Sequence, residues 1–312
     1  MARAARNQLG ALAFVLAFAS AQATVSSEEA ALWNTHTYGV FQSGAQAGKV
    51  VKFGSGASAL PAYVAVPAGG KPEAAVVIFS DVYGWQLNNT RLFADRLAKA
   101  GYLAVLPDFF RGDVLADYVK KNPGDLMGWI KRQPNDRVVK DFDALVPEIK
   151  KTYPSVKKIA QYGFCWGGLF SALLSSGKGP KVDAAVAFHP SLLTPDVVAA
   201  ITGPVSFQAA DPSLDSQVNA TFYQAIEKEF AKKRAKGIPA EIKAYKGQPH
   251  GFALRGNVTT SAKAASDAFD AGIAFLKKNL AAAPAGAAAA AAKPAAAAAK
   301  PAPAGAGAAA KP

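Results

Sequence analysis

The decapeptide IAQYGFCWGG, residues 159–168, contains the only cysteine in a chain of 312 residues. Its first residues are typical of a β-strand, and the residues after the glycines permit a helix. The five residues centred on Cys165 fit the pattern glycine–any–nucleophile–any–glycine of a sharp strand-to-helix turn. Glycine is needed at Gly163 and Gly167 because a Cβ there would collide with the neighbouring strand or helix. The stretch therefore predicts an α/β fold in which Cys165 follows a central strand.

A cysteine at such a turn is predicted to be a nucleophile. The turn exposes the thiol at the carboxyl end of the sheet and directs the N–H of Trp166 toward a substrate oxygen. The helix that follows favours the thiolate because its N-terminus carries partial positive charge. A structural cysteine packed between strand and helix is the alternative, since free cysteine is often buried.

A catalytic thiol needs a general base, and the chain offers an acid and then a histidine after Cys165. Asp211 follows the strand-like run PVSFQAA, with Asp215 as the rival acid, and His250 follows AEIKAYKGQP. We predict that His250 takes the proton of the thiol and that Asp211 fixes the imidazole tautomer. A histidine that only forms part of the turn GQPHGF is the alternative for His250.

Short apolar runs alternate with helix-like segments, which predicts a mostly parallel central sheet with helices on both faces. The predicted strands span residues 62–67, 73–80, 102–107, 157–163, 182–188, 203–209 and 240–245. The predicted helices span residues 88–101, 136–151, 167–176, 216–235 and 260–280. Residues 108–134 are irregular and form a candidate cap or substrate loop. His189 ends the run VDAAVAF, so it is expected near the same sheet edge, either lining the pocket or hydrogen-bonded in a turn.

Both ends of the chain are predicted to lie outside this domain. Residues 1–23 combine two arginines, the apolar run LGALAFVLAFAS and the small residues AQA, which is typical of a secretory signal peptide. An organelle transit peptide is the alternative, and the apolar run is too short to span a bilayer. Residues 281–312 contain only Ala, Pro, Gly and Lys, which predicts a disordered tail. Residues 24–280 remain as one domain of an exported protein.

The composition argues against several function classes. The leader holds two of the basic residues and the tail three, which leaves 30 basic and 22 acidic residues between them. These basic residues are scattered, so we expect a solvated surface and no nucleic-acid partner. One cysteine cannot form an internal disulfide, and His36, His189 and His250 lack metal-ligand spacing. We therefore expect no metal or cofactor, a small-molecule substrate, no stable membrane insertion after leader removal, and a monomer or weak dimer.

Four stretches together resemble the dienelactone hydrolases, also called carboxymethylenebutenolidases, over residues 60–280. They are SDVYGWQLNNTRLFADRLAKAGYLAVLPDFF, YGFCWGG, FQAAD and PHGF. The resemblance implies an α/β-hydrolase fold with a Cys-His-Asp triad. It also implies cleavage of small esters or enol-lactones through an acyl-thioester on Cys165.

The resemblance implies further site residues. Asp81 stands where the family places an acid that modulates thiol ionisation, and the N–H of Val82 is implied as the second oxyanion donor beside that of Trp166. Arg111 and Arg255 lie near the positions of arginines that anchor a substrate carboxylate, each displaced by about one residue from the bacterial pattern. Exposed surface arginines are the alternative for both.

Two other functions remain open from the sequence. Some proteins of this fold are assigned to glucans, and Asp81 and Asp108 are conceivable as the two carboxylates that glycoside cleavage requires. That reaction would leave the thiol idle. A non-catalytic surface-binding protein would be expected to have a broken triad, and here all three residue types are in place.

Overall fold

Eight strands form one sheet, in the order β1-β2-β4-β3-β5-β6-β7-β8, in a computed structural model that describes residues 44–177 and 181–281. The strands are β1 (Lys49–Phe53), β2 (Leu60–Ala65), β3 (Ala74–Phe79), β4 (Leu103–Pro107), β5 (Lys158–Phe164), β6 (Ala184–Phe188), β7 (Val205–Ala209) and β8 (Ala240–Ala244). β2 pairs antiparallel with β1 and with β4, and all the other pairs are parallel. The prediction of a mostly parallel sheet is confirmed.

Helices cover both faces of this sheet. They are α1 (Asn88–Lys99), α2 (Leu115–Lys121), α3 (Leu126–Lys131), α4 (Asn135–Thr152), α5 (Trp166–Leu174), α6 (Pro195–Ala199), α7 (Ala220–Arg234), α8 (Phe252–Arg255) and α9 (Ala262–Leu280), with a 3-10 turn at Gly56–Ser58. Strand β3 shows why two layers are needed, because all six of its residues are buried and alternate ones enter different cores. Val77 packs in the core that holds Phe142 and Phe170, whereas Val76 packs in the core that holds Phe93.

The structure differs from the predicted elements in one edge strand and in several short helices. Strand β1 was not predicted because KVVKF has a lysine at each side of its short apolar core and is largely exposed at the edge of the sheet. The stretch 108–134, expected to be irregular, contains the short helices α2 and α3. Helices α6 and α8 are too short to show a helical period in the sequence.

The predictions for the two ends of the chain lie outside the described residues. They concern the signal peptide 1–23 and the tail 281–312, of which the structure describes only Ala281, so export stays a prediction. His36 also lies outside the described part. In that part no helix is both long and apolar enough to cross a membrane.

The sheet brings the ends of its parallel strands to one edge. Residue Phe79 at the end of β3 pairs with Gly163 of β5, and Phe164 at the end of β5 pairs with Phe188 of β6. The loops that follow these strands therefore meet above the same edge, where open α/β sheets bind ligands.

Helix α5 lies very close to the sheet at this edge. A Cβ on Gly163 would overlap the backbone carbonyl of Gly167, and a Cβ on Gly167 would overlap the carbonyl of Phe79. Backbone atoms cannot rotate away as a side chain can, so both positions require glycine.

We expect Gly163→Ala to lower the free energy of unfolding by about 3 kcal/mol or more, because the added methyl forces strand and helix apart. Gly237→Ala is the matched control, since φ is +78° there and no atom lies within 4 Å of the added Cβ. Its cost should be ~1–2 kcal/mol, from backbone conformation alone. Urea denaturation measures both variants, and equal losses would contradict the close approach.

Candidate active site

Cys165 occupies a strained backbone conformation between β5 and α5, with φ of 52° and ψ of −113°. A positive φ is uncommon for any residue other than glycine and costs about 1–3 kcal/mol. Backbone hydrogen bonds on both sides hold it there. The Cys165 N–H donates to the carbonyl of Phe188 at 3.1 Å, and the Cys165 carbonyl accepts from the N–H groups of Gly168 at 2.9 Å and Ser191 at 3.1 Å. The predicted sharp turn is confirmed.

His250 lies beside the thiol in the turn that follows β8. Its Nδ1 is 3.0 Å from Oδ2 of Asp215, whose side chain is 1% exposed. The His250 and Cys165 side chains also interact, because the charge of each favours the charged form of the other. Because Nδ1 faces the carboxylate, the other ring nitrogen, Nε2, is the one available to the thiol.

The thiol and the imidazole ionise as a pair. Burial raises the pKa of the Cys165 thiol, but the charge of His250 and the hydrogen bond with it have the larger combined effect, so the pKa is lowered. Burial likewise lowers the pKa of His250, while the thiolate and the Asp215 carboxylate raise it by more. The arrangement therefore favours a thiolate beside an imidazolium.

The predicted partner of the histidine, Asp211, is wrong. The Asp211 carboxylate accepts hydrogen bonds from the N–H of Gly247 at 2.6 Å and from the N–H and hydroxyl of Ser213 at 2.9 and 2.7 Å. The partner of His250 is the rival acid, Asp215. The chain makes one helical turn after β7, in which the Asp215 N–H donates to the Asp211 carbonyl at 2.9 Å. This turn places the later carboxylate at the imidazole.

A second ion pair lies next to the thiol. Asp81, in the loop after β3, is fully buried, and its Oδ2 accepts from Nε of Arg255 at 2.6 Å. Its Oδ1 accepts from the N–H of Tyr83 at 3.0 Å, and the Arg255 guanidinium carbon lies 4.0 Å from the centre of the Tyr83 ring. The charge of Asp81 opposes ionisation of the thiol and so acts to raise the pKa of Cys165.

Two predicted substrate contacts are not supported by the structure. Arg111 donates hydrogen bonds to Asp141 of helix α4 through Nη2 at 2.6 Å and Nε at 3.0 Å, so its guanidinium already binds a carboxylate of the protein.

His189 is fully buried and therefore does not line a surface that a substrate can touch. Its ring centre lies 5.0 Å from that of His250, and neither ring nitrogen has a hydrogen-bond partner among the described residues. Burial keeps the pKa of His189 well below its usual value, so the ring is neutral.

Ser191 is a site residue that sequence reasoning missed. Its Oγ lies 3.5 Å from Sγ of Cys165. It belongs to the turn after β6, in which His189 and Leu192 have φ of 38° and 59°. Nothing in HPSL marks a motif, and the available signal was its place at the carboxyl end of a predicted strand.

The two predicted oxyanion donors stand at the same edge of the sheet. Trp166 is the first residue of α5, so its N–H has no acceptor within that helix. Val82 follows the buried Asp81, just beyond the end of β3, which is the strand next to β5. Among the described residues no group of three or more His, Cys, Asp or Glu side chains could hold a metal ion.

Comparisons with known proteins identify the relatives of this chain. The model of the dienelactone hydrolase family matches residues 60–280. A carboxymethylenebutenolidase homolog of Xenopus tropicalis is 30% identical over 199 residues, which are 64% of this chain and 77% of that protein. An endo-1,3;1,4-beta-D-glucanase of Zea mays is 36% identical over 166 residues, which are 53% of this chain and 50% of that protein.

A crystal structure of a Klebsiella pneumoniae protein, described as a presumed dienelactone hydrolase, has the same fold. It superposes with a TM-score of 0.62 at 21% sequence identity and covers 74% of this chain and 98% of its own. The predicted α/β-hydrolase fold is thereby confirmed.

Asp215→Asn should move the pH midpoint of Cys165 alkylation by iodoacetamide to higher pH. Loss of the carboxylate lowers the pKa of His250, and a neutral imidazole no longer lowers the pKa of the thiol. The matched control is Asp211→Asn, which removes the same charge four residues earlier and should leave the midpoint unchanged. A larger shift of the alkylation midpoint for Asp211→Asn than for Asp215→Asn would indicate that Asp211 is the partner of His250.

Ser191→Ala should also raise that midpoint, because the hydroxyl hydrogen bond lowers the pKa of the thiol. Ser213→Ala serves as control, since its hydroxyl bonds Asp211 instead. Alkylation profiles that coincide for Ser191→Ala and the unmodified protein would show that the Ser191 hydroxyl does not act on the thiolate.

Proposed function

Because the chain belongs to the dienelactone hydrolase family, we propose that it hydrolyses small carboxylic esters and lactones with Cys165 as its nucleophile. The observation that supports this most directly is the row of three side chains. Cys165 lies at a strained turn and interacts electrostatically with His250, and the buried Asp215 lies 3.0 Å from Nδ1 of that imidazole. In this proposal the triad acid is Asp215.

In the first half of the reaction the Cys165 thiolate attacks the carbonyl carbon, and a C–S bond forms. The carbonyl oxygen becomes an oxyanion that accepts hydrogen bonds from the N–H groups of Val82 and Trp166. Such donors contribute roughly 2.7–4 kcal/mol each to transition-state stabilisation. Protonated His250 gives its proton to the leaving oxygen as the C–O bond breaks, which releases the alcohol and leaves an acyl-thioester.

In the second half, water attacks the thioester carbon, and His250 accepts the proton of that water. The C–S bond breaks, the carboxylic acid leaves, and the sulfur is again a thiolate beside an imidazolium. Asp215 keeps Nδ1 protonated throughout, so Nε2 always faces the reacting atoms. Thiolate is a good leaving group, which suits the collapse of a tetrahedral intermediate formed from an activated ester.

Asp81 and Arg255 complete the proposed machinery. The buried charge of Asp81 opposes thiolate formation, and Arg255 neutralises much of that charge by holding the carboxylate at 2.6 Å. We propose that this pair modulates the ionisation of Cys165, so that the thiolate forms without a full uncompensated negative charge beside it.

The glucan alternative is weaker. Of the two carboxylates that this reaction could use, Asp81 is fully buried and hydrogen-bonded to Arg255, so it is not accessible to a sugar. The Asp108 carboxylate accepts from the N–H of Gly112 at 2.8 Å and is also mostly buried. Neither observation favours a pair of carboxylates that flank one glycosidic bond.

Cys165→Ala should lower kcat/KM for phenyl acetate by about 10³-fold or more, because alanine cannot form the acyl intermediate. Asp215→Asn should cost roughly 10²–10⁴-fold, since it leaves the shape of the site intact but disturbs the tautomer. Thermal melts of both variants test that the fold persists. Unchanged hydrolysis by Cys165→Ala would falsify the assignment, and release of sugars from a mixed-linkage glucan would point to the other reaction.

A further inference from the structure

The turn that follows β6, residues 189–192, contacts two members of the proposed triad. The Ser191 N–H donates to the Cys165 carbonyl at 3.1 Å, and the Ser191 Oγ lies 3.5 Å from Sγ. Two residues earlier in the same turn, the ring of His189 lies against that of His250, with ring centres 5.0 Å apart and planes inclined by 70°. One short segment therefore lies against both the nucleophile and the base.

Hydrogen bonds also connect this turn to the acid of the triad. The Leu192 N–H donates to Oε1 of Gln217 at 3.4 Å, and the Gln217 N–H donates to Oδ1 of Asp215 at 2.9 Å. The other oxygen of Asp215, Oδ2, is the one that faces His250. The turn is thus linked to all three triad residues, although it supplies none of them.

The backbone of the turn is held in a demanding conformation. The φ angle is 38° at His189 and 59° at Leu192, values that residues other than glycine rarely adopt. The His189 N–H donates to the carbonyl of Gln208 in β7 at 2.8 Å. Because strained positions persist only where the surrounding structure fixes them, the ring of His189 extends from a fixed backbone.

The His189 side chain is surrounded by other rings. It is fully buried, and the centres of the Phe164 and Phe252 rings lie 6.0 and 5.9 Å from its own. Neither of its nitrogens has a hydrogen-bond partner among the described residues. Its contribution to the site is therefore made by the shape and the π face of the ring.

The ring of His189 is neutral beside a charged one. Burial and the positive charges of His250 and Arg255 keep its pKa well below the usual value, and the attraction of its own backbone opposes them only weakly. A neutral ring at 5.0 Å in an edge-to-face arrangement attracts an imidazolium, whereas a second cation would repel it. The positive charge therefore stays on His250, beside the Cys165 thiolate and the Asp215 carboxylate.

We propose that His189 is a positioning residue, whose neutral ring holds the imidazole of His250 in line between its acid and the thiol. Because the protein covers His189 completely, it acts on the reaction through His250 and not through the substrate. The inference rests on the proposed hydrolase function and adds a residue that orients the base.

Two substitutions test the ring directly. His189→Leu removes it but fills a similar volume, and His189→Phe restores an aromatic face without the nitrogens. We expect His189→Leu to lower kcat for phenyl acetate roughly 10–100-fold with little change in KM, because a misplaced base slows the chemistry but leaves substrate contacts intact. The pH midpoint of Cys165 alkylation should rise by about 0.5 unit or more, since the imidazolium loses an attractive neighbour. His189→Phe should recover most of both losses.

Phe230→Leu is the matched control for loss of a buried ring. Phe230 is fully buried in helix α7 and packs against Phe207 with ring centres 5.0 Å apart. Both leucine variants should lower the melting temperature, yet the alkylation midpoint should move only in His189→Leu. A midpoint that moves equally in both would reflect a general loss of stability and would overturn the positioning role.

Two further results would contradict the proposal. Equal losses in His189→Leu and His189→Phe would show that the nitrogens matter and not the ring face, and an unchanged kcat and midpoint in His189→Leu would show no role at all. Failure of the unmodified protein to hydrolyse phenyl acetate would instead overturn the proposed function. The alkylation midpoints still test the positioning role in that case, because iodoacetamide reacts with the thiolate directly.

Discussion

The close contact between helix α5 and the end of strands β3 and β5 is the constraint on which the site depends. Glycines at 163 and 167 let the helix backbone approach the strand backbone, and the chain enters the helix through a strained, positive-φ conformation at Cys165. The strain of about 1–3 kcal/mol is offset by the three backbone hydrogen bonds that fix this residue and by the packing of α5. The same geometry leaves the half-buried Cys165 at the carboxyl end of the sheet, directly before the first N–H of helix α5.

Charge balance around the sulfur follows from that placement. A thiolate at the turn needs a cation, which His250 provides, and a buried imidazolium in turn needs Asp215. Asp81 adds a further negative charge, and Arg255 is held to it by the cost of an unmatched charge in a dry site. Asp215 and Asp81, the two buried carboxylates nearest the thiol, thus each have their own cation.

Much of the fold was predictable because its signals are local. The apolar runs of β3 and β5, the glycines around Cys165 and the helical period of α1 each lie within a short window of sequence. The residues that pair across the site were harder to predict. Arg255 and Asp81 are 174 residues apart, and Cys165 and Ser191 are 26 apart, so their contact depends on how separate loops meet. The helical turn after β7 has no sequence signature beyond the spacing of two acids. The sequence therefore favours Asp211, which directly follows the strand, over Asp215.

The reacting groups and the cleft are built from different parts of the chain. The ends of β5, β7 and β8 position the triad, whereas the loops after β3 and β4 line a cleft that includes Val82, Trp85 and Val114. Val82 belongs to both, since it lines the cleft and its N–H is the proposed oxyanion donor. Residues such as Trp85 and Val114 can therefore change the groups that the cleft accepts without altering the ion pairs that set the pKa of the thiol. The residues around a substrate can therefore vary while the reacting groups stay in place, which is how one fold supports different substrates.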